Sequence, residues 1–207
     1  SEQEIIHLFY DKFYETPILR RMDAVMEYLV DEYETLYNRN LPEDEVEEIR
    51  EKFNRMYVTR DIYKIYNWFL EDNGYETLAK IPYENRKLQY EDVFPVLYLK
   101  YRMLGGTRHK HIKHLVIDEM QDYSPIQYAV LNLLFQCPKT ILGDFSQSIN
   151  PNCPYSLEEL HQFYEGSTLM RLEKSYRSTW EIIHFAKQIV KQSDFQAVER
   201  HGPAPEL

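Results

Sequence analysis

Along the first 88 residues, apolar side chains recur at three- and four-residue spacing. Ile5, Ile6, Leu8, Phe9 and Phe13 form one series, and Leu19, Met22, Val25, Met26, Leu29, Val30 and Tyr33 a second, so amphipathic helices are predicted over both. The run NLPEDEVEEIREKF predicts another, with Pro42 near its first turn and Glu43, Asp44 and Glu45 where the helix dipole favours negative charge. TRDIYKIYNWFLEDNG predicts a fourth, closed by Asn73 and Gly74. Near Pro82 to Tyr90 the pattern changes. YEDVFPVLYLKYRMLGG predicts a helix opened by acids, with Pro95 in its first turn and Gly105-Gly106 at its end. Beyond it, strands predicted at 112–117, 139–143 and 168–172 alternate with helices at 124–136, 156–163 and 178–193. Such alternation predicts an α/β fold, a parallel sheet with helices on its faces. Leu115-Val116-Ile117 and Thr140-Ile141-Leu142 are apolar without alternation, the pattern of strands covered on both sides.

Charge supports a division into two parts, 1–88 and 89–207. The first carries 20 acidic and 12 basic residues, net −8, and the second 14 and 12, net −2. A total of −10 excludes binding to nucleic acid by bulk electrostatics, because phosphate contacts need clustered Lys and Arg. Any such contact has to be local. At 43% hydrophobic and 14% aromatic, the 207 residues can bury a core. No apolar run approaches the roughly 18 residues of a membrane span, and the acidic, amphipathic SEQEIIHLFYDKF is unlike a signal peptide, so a cytoplasmic protein is expected. Cys137 and Cys153 lack partners at metal-binding spacing and are expected as reduced thiols.

Two features admit a functional and a plain structural reading. The aromatic stripe Tyr57, Tyr63, Tyr66, Trp68 and Phe69 could stack nucleic-acid bases, but its spacing suits a buried helix face and few basic residues flank it, so core packing is predicted. RHKHIKH contains His109, His111 and His114, yet no Cys or acid stands at useful spacing, and a solvated basic loop is the better reading. Its Arg108, Lys110 and Lys113 are the best local candidates for a phosphate contact.

The most informative stretch lies between His114 and Asn150, where two predicted strands each run into acid. Leu115-Val116-Ile117 meets Asp118-Glu119, and Thr140-Ile141-Leu142-Gly143 meets Asp144. Ligands of open parallel sheets bind just beyond the carboxyl ends of strands. Adjacent carboxylates repel, and a hard cation such as Mg²⁺, shared with substrate phosphates, relieves that repulsion. A second carboxylate there can take a proton from attacking water. Acids also end strands simply to meet solvent, so the pair alone decides little; VIDEMQD followed by ILGDFSQSI and then LEKSYRST is more telling.

At these residues the chain resembles the UvrD/Rep class of superfamily 1 helicases. Asp118-Glu119-Met120-Gln121-Asp122 matches the DExQD form of motif II, Gly143-Asp144 with Gln147-Ser148-Ile149 matches motif III, and Ser175-Tyr176-Arg177-Ser178 is similar to motif IV. YEDVFPVLYLKYRMLG ahead of HLVIDEMQDYSPIQYAVL looks most like the helicase IV or HelD branch, which includes DNA helicases and RNA-polymerase-associated ATPases. The resemblance implies that 89–207 is the C-terminal part of a first RecA-like P-loop ATPase domain, ending where a second begins, and that 1–88 is a helical insertion. It further implies ATP and Mg²⁺ as ligands, Asp118 as the Mg²⁺ partner with Glu119 beside it, and Glu119 as the base that orients water. Gln147 would sense the γ-phosphate, Arg177 would donate to it, and Tyr176 would stack on adenine. Ser175 stands where the class usually has Asn.

The class also needs a GxxxxGK[ST] loop to cradle phosphates, and no such run occurs in the sequence. The chain is therefore expected to be an internal piece of a longer enzyme, inactive alone without the remaining helicase domains. Three readings follow: a piece of an ATP-dependent motor on single-stranded DNA, of an ATPase that docks on RNA polymerase through its acidic helical part, or a non-catalytic interaction module. The first is favoured, and the acids and arginine of the motifs argue against the last.

Overall fold

A computed structural model describes residues 1–106, 108–148, 156–190 and 196–206, which form two compact units, Ser1–Cys153 and Pro154–Leu207. Cys153, Ile149 and the last three residues of the helix predicted over 178–193 lie outside the described residues.

The first unit begins with α1 (Glu2–His7), which continues as a π-helical turn over Leu8–Lys12, and α2 (Ile18–Tyr37). The predicted apolar series on α2 faces inward: Val25 is 0% exposed and packs with Leu8, Phe9, Met26 and Phe53. Burying such a side chain is worth about 1.5–3 kcal/mol. Asn38 ends α2 in the left-handed conformation that Asn tolerates. Helix α3 (Glu43–Asn54) starts one residue after Pro42, with its acids in the first turn as predicted. Its Glu47–Arg50, Glu48–Lys52 and Glu51–Arg55 pairs are exposed, so solvent screens them and they add little.

Helix α4 (Ile62–Asp72) is capped by Asp61, whose carboxylate accepts from Tyr63 N–H at 3.0 Å. The same carboxylate receives Arg86 bidentately at 2.9 and 2.7 Å, and the charge-assisted bonds of Arg86 hold its pKa below the usual carboxylate range against an opposing contribution from burial. Buried Asn67 accepts from the N–H of Leu78 at 2.7 Å and donates to its carbonyl at 3.2 Å. Tyr63 donates to the Ala79 carbonyl and Tyr66 to Asp92, both at 2.8 Å. Residues 78–92 are therefore tied to α4, across the predicted seam. Burial, then Asp92, push the Tyr66 phenol up to about 12.

The aromatic stripe divides. Tyr63 and Tyr66 are buried and Tyr57 is half-buried, whereas Trp68 is 45% exposed and Phe69 is exposed too, so the prediction of core packing fails for these two. Helix α5 (Tyr90–Leu104) packs on α2 and α4. Pro95 sits at its sixth residue, in the second turn and not the first.

The α/β part of this unit is small. Strand β1 (Leu115–Ile117) pairs in parallel with β2 (Lys139–Ile141), Ile117 opposite Ile141, and α6 (Pro125–Leu134) makes the crossover between them. Both strands are shorter than predicted, because each ends where pairing ends. They are also covered on one side only: Ile117 is buried but Val116 is 61% exposed, contrary to the expectation of two covered faces. Helix α6 begins at Ser124-Pro125, with Gln127 accepting from Ser124 N–H at 2.6 Å.

The second unit contains α7 (Leu157–Phe163), β3 (Lys174–Ser175), α8 (Trp180–Val190) and β4 (Gln196–Ala197), with β3 and β4 parallel. The strand predicted at 168–172 is absent. Leu169, Met170 and Leu172 are exposed, and no strand pairs with them among the described residues; apolar character alone does not make a ladder. Glu181 on α8 accepts from His201 at 2.8 Å and from Gly202 N–H at 3.0 Å, and these partners, His201 first, hold its carboxyl down at about 2. No described helix is long and apolar enough to cross a membrane.

Candidate functional site

The parallel pairing of β1 and β2 sets their C-terminal ends side by side, and the acids follow directly. Beyond the regular ladder, Leu142 N–H donates to the Ile117 carbonyl at 2.8 Å and Met120 N–H to the Leu142 carbonyl at 2.9 Å, which stitches the two tips together. Between these bonds the chain turns sharply. Glu119 takes a left-handed conformation, φ 52 and ψ 49, which costs a non-glycine residue about 1–2 kcal/mol. Asp118 supports the turn by accepting the Glu119 N–H on Oδ1 at 2.9 Å. Both carboxylates are exposed, and Asp118 Oδ2 makes no hydrogen bond among the described residues. The turn is anchored from below by Tyr128 of α6, 1% exposed, whose hydroxyl donates to the Met120 carbonyl at 2.8 Å.

Gln121 connects the two tips. It is 3% exposed; its Oε1 accepts from the Asp144 N–H at 3.1 Å and its Nε2 donates to Glu119 Oε2 at 2.7 Å. The backbone N–H of Asp144 needs an acceptor, which fixes the amide orientation and leaves its donor to the carboxylate. Gly143 makes the approach possible: a Cβ there would lie 2.5 Å from Gln121 Oε1 and 2.6 Å from Met120 N. On the other side, Gln147 Nε2 donates to Asp144 Oδ2 at 2.9 Å. The hydrogen bonds thus link Glu119, Asp144 and Gln147 through Gln121, with Asp118 beside Glu119 on the turn. Gln121 and Tyr128 received no role from the sequence; the only signal was an amide, able to donate and accept at once, two residues after an acid at a strand end.

Tyr176 and Arg177 belong to the second unit, immediately after β3, and both are exposed. Tyr176 lines an open depression with Arg171, Leu172, Glu173 and Lys174. In the histidine cluster, His109 stacks on Phe135 and His114 bonds Thr140 Oγ1 at 2.8 Å. Among the described residues no three His, Cys, Asp or Glu side chains converge to hold a metal ion. One carboxylate together with the phosphate oxygens of a ligand is a donor set that suits Mg²⁺. Asp118, with one oxygen open, fits that donor set.

In open α/β sheets, the carboxyl ends of parallel strands are where ligands bind. Residues 5–150 match the UvrD/REP helicase N-terminal domain, and the chain belongs to that family. Over 88 residues, 40% of the chain, it is 39% identical to the ATP-dependent DNA helicase srs2 of Schizosaccharomyces pombe, covering 10% of that protein. Over 159 residues, 74% of the chain, it is 25% identical to DNA helicase II of Haemophilus influenzae, covering 20% of it. DNA helicase II of Escherichia coli is 33% identical over 86 residues, 39% of the chain and 12% of that relative. The chain thus spans between a tenth and a fifth of the length of these relatives. Tyr176 and Arg177 lie beyond the matched residues 5–150.

Proposed function

We propose that this chain is part of an ATP-dependent DNA helicase or translocase and supplies half of its ATP-hydrolysing centre. The observation that carries the reading is the joining of the two acidic strand tips, Asp118-Glu119 and Asp144 with Gln147, through buried Gln121. On this reading Asp118 is the protein's ligand to Mg²⁺, which when bound offsets phosphate charge. Glu119 takes the proton of the attacking water, Gln147 responds to the γ-phosphate, Arg177 donates to it and Tyr176 stacks on adenine. The strand pair then belongs to a RecA-like P-loop domain, with 1–88 a helical insertion in it. The relatives are named as DNA helicases, which favours DNA over RNA polymerase as partner and the UvrD type over the HelD-like branch.

Glu119→Gln in the full-length protein tests the reading. Hydrolysis stimulated by single-stranded DNA should fall by about 10²–10⁴-fold, while nucleotide affinity stays near wild type, because the residue acts on water and not on the bound ground state. Equal loss of affinity and rate would make Glu119 structural. The purified 207-residue chain should not turn over ATP measurably.

A further inference from the structure

We infer that Gln121 is a positioning residue that sets the carboxylate of Glu119 according to the state of the Asp144–Gln147 tip. The inference rests on the proposed role of Glu119. It begins from a conflict: a glutamate on a left-handed turn, exposed to water, has no reason to keep one side-chain orientation, since fixing an exposed rotamer costs entropy. Gln121 supplies the reason. Its Nε2 holds Glu119 Oε2 at 2.7 Å, leaving Oε1 as the oxygen for a proton. Its own orientation is imposed by the Asp144 N–H at 3.1 Å, and Asp144 in turn receives Gln147 at 2.9 Å. Three hydrogen bonds therefore lead from Gln147 to Glu119 through one buried amide. A displacement of Gln147 and Asp144 by a ligand would move the acceptor face of Gln121 and, with it, the donor face that holds the base.

Two substitutions in the full-length enzyme separate this role from simple packing. Gln121→Met keeps length and loses both hydrogen bonds; Gln121→Glu keeps the acceptor for Asp144 N–H and loses the donor to Glu119. Each should lower kcat by roughly 10- to 100-fold, the range found when a group supporting a reactive one is removed, with KM for ATP and the affinity for a fluorescent nucleotide analogue within about twofold of wild type. Gln147→Ala should lower the DNA-stimulated rate in the wild-type background and change it less than about twofold beside Gln121→Met, because the relay is already cut. Wild-type kcat in the Gln121→Glu enzyme, a loss of nucleotide affinity matching the loss of rate, or additive effects of Gln121→Met and Gln147→Ala would each overturn the inference, as would failure of both variants to fold. Glu119→Gln is the reference: if it retains turnover, the assignment of the base fails, whereas its inactivity beside a fully active Gln121→Met enzyme defeats only the positioning role.

Discussion

Two buried amides in the first unit use the same chemistry for different ends. Asn67, 8% exposed, gives both its donor and its acceptor to the backbone of Leu78, and so imitates a strand neighbour for a segment that has none. Gln121, 3% exposed, gives its acceptor to the backbone of Asp144 but its donor to an exposed carboxylate. Around Asn67 the neighbouring polar groups close on one another: Asp61 with Arg86, Tyr66 with Asp92, Tyr63 with Ala79. Around Gln121 the network opens outward, onto Glu119 and Gln147. A buried amide spent wholly on backbone holds a fold together. One spent on a side chain that faces water orients a charge, and that is an arrangement stability alone does not call for.

The largest expected effect comes from breaking the closed network. Asn67→Leu keeps the volume but leaves the N–H and C=O of Leu78 without partners, at a cost of about 1–3 kcal/mol for each group that stays buried. A loss of about 2–4 kcal/mol in denaturant unfolding is expected, with the residual folded protein binding nucleotide in the full-length enzyme as before. A loss below about 0.5 kcal/mol would mean that the segment over 75–81 is not held by α4 in solution.

Next in size is the alkaline response of Tyr66. Its phenol is raised to about 12 in the fold, above the ordinary value near 10, so the unfolded chain ionises first and the folded chain keeps the proton longer. The stabilisation is complete below pH 10 and lost as pH rises through about 12. Tyr66→Phe removes the titrating group, so the stability difference between wild type and variant should change across this range and stay constant below it. Parallel stability curves for the two proteins would contradict the shift.

The helices were legible because their signal is local: the series Leu19 to Tyr33 and the cap at Asn73 contain most of what decides them. Motif residues at the β1 and β2 tips were legible for the same reason, since strand ends follow from runs of three apolar residues. What was lost depends on partners far along the chain. The stretch 168–172 has strand composition but nothing to pair with among the described residues, and the openness of Val116 follows from a sheet with two strands among the described residues of its unit. The role of Gln121 was hidden similarly, because its second partner, Asp144, is 23 residues away and is brought near by the α6 crossover. Pro95 was misplaced for a smaller reason: the helix starts at Tyr90 as the run YEDVFP suggests, and its sixth residue lies beyond a first turn of 3.6 residues.

The smallest expected effect concerns the aromatic stripe, where the periodicity argument was applied too broadly. A helix turns about 100° per residue, so Tyr63, Tyr66 and Leu70 share a face, but Trp68 lies about 200° round from Tyr66 and points away. The structure agrees: the first three are buried, and Trp68 is 45% exposed. A half-exposed indole with no hydrogen-bonded partner in a network contributes little, and surface substitutions of this kind usually stay within about 0.5 kcal/mol. Trp68→Ala should therefore leave unfolding midpoints nearly unchanged, while Tyr63→Ala, which loses a buried ring and the bond to Ala79, should be readily measurable. The same pair also tests whether the exposed aromatics serve a ligand. If Trp68→Ala in the full-length protein lowers affinity for single-stranded DNA without changing stability, the exposed part of the stripe is a stacking surface, because base–aromatic contacts carry about 1–3 kcal/mol each and owe nothing to the core. If it changes neither, Trp68 is a surface residue whose neighbours on α4, and not itself, explain why the helix is there.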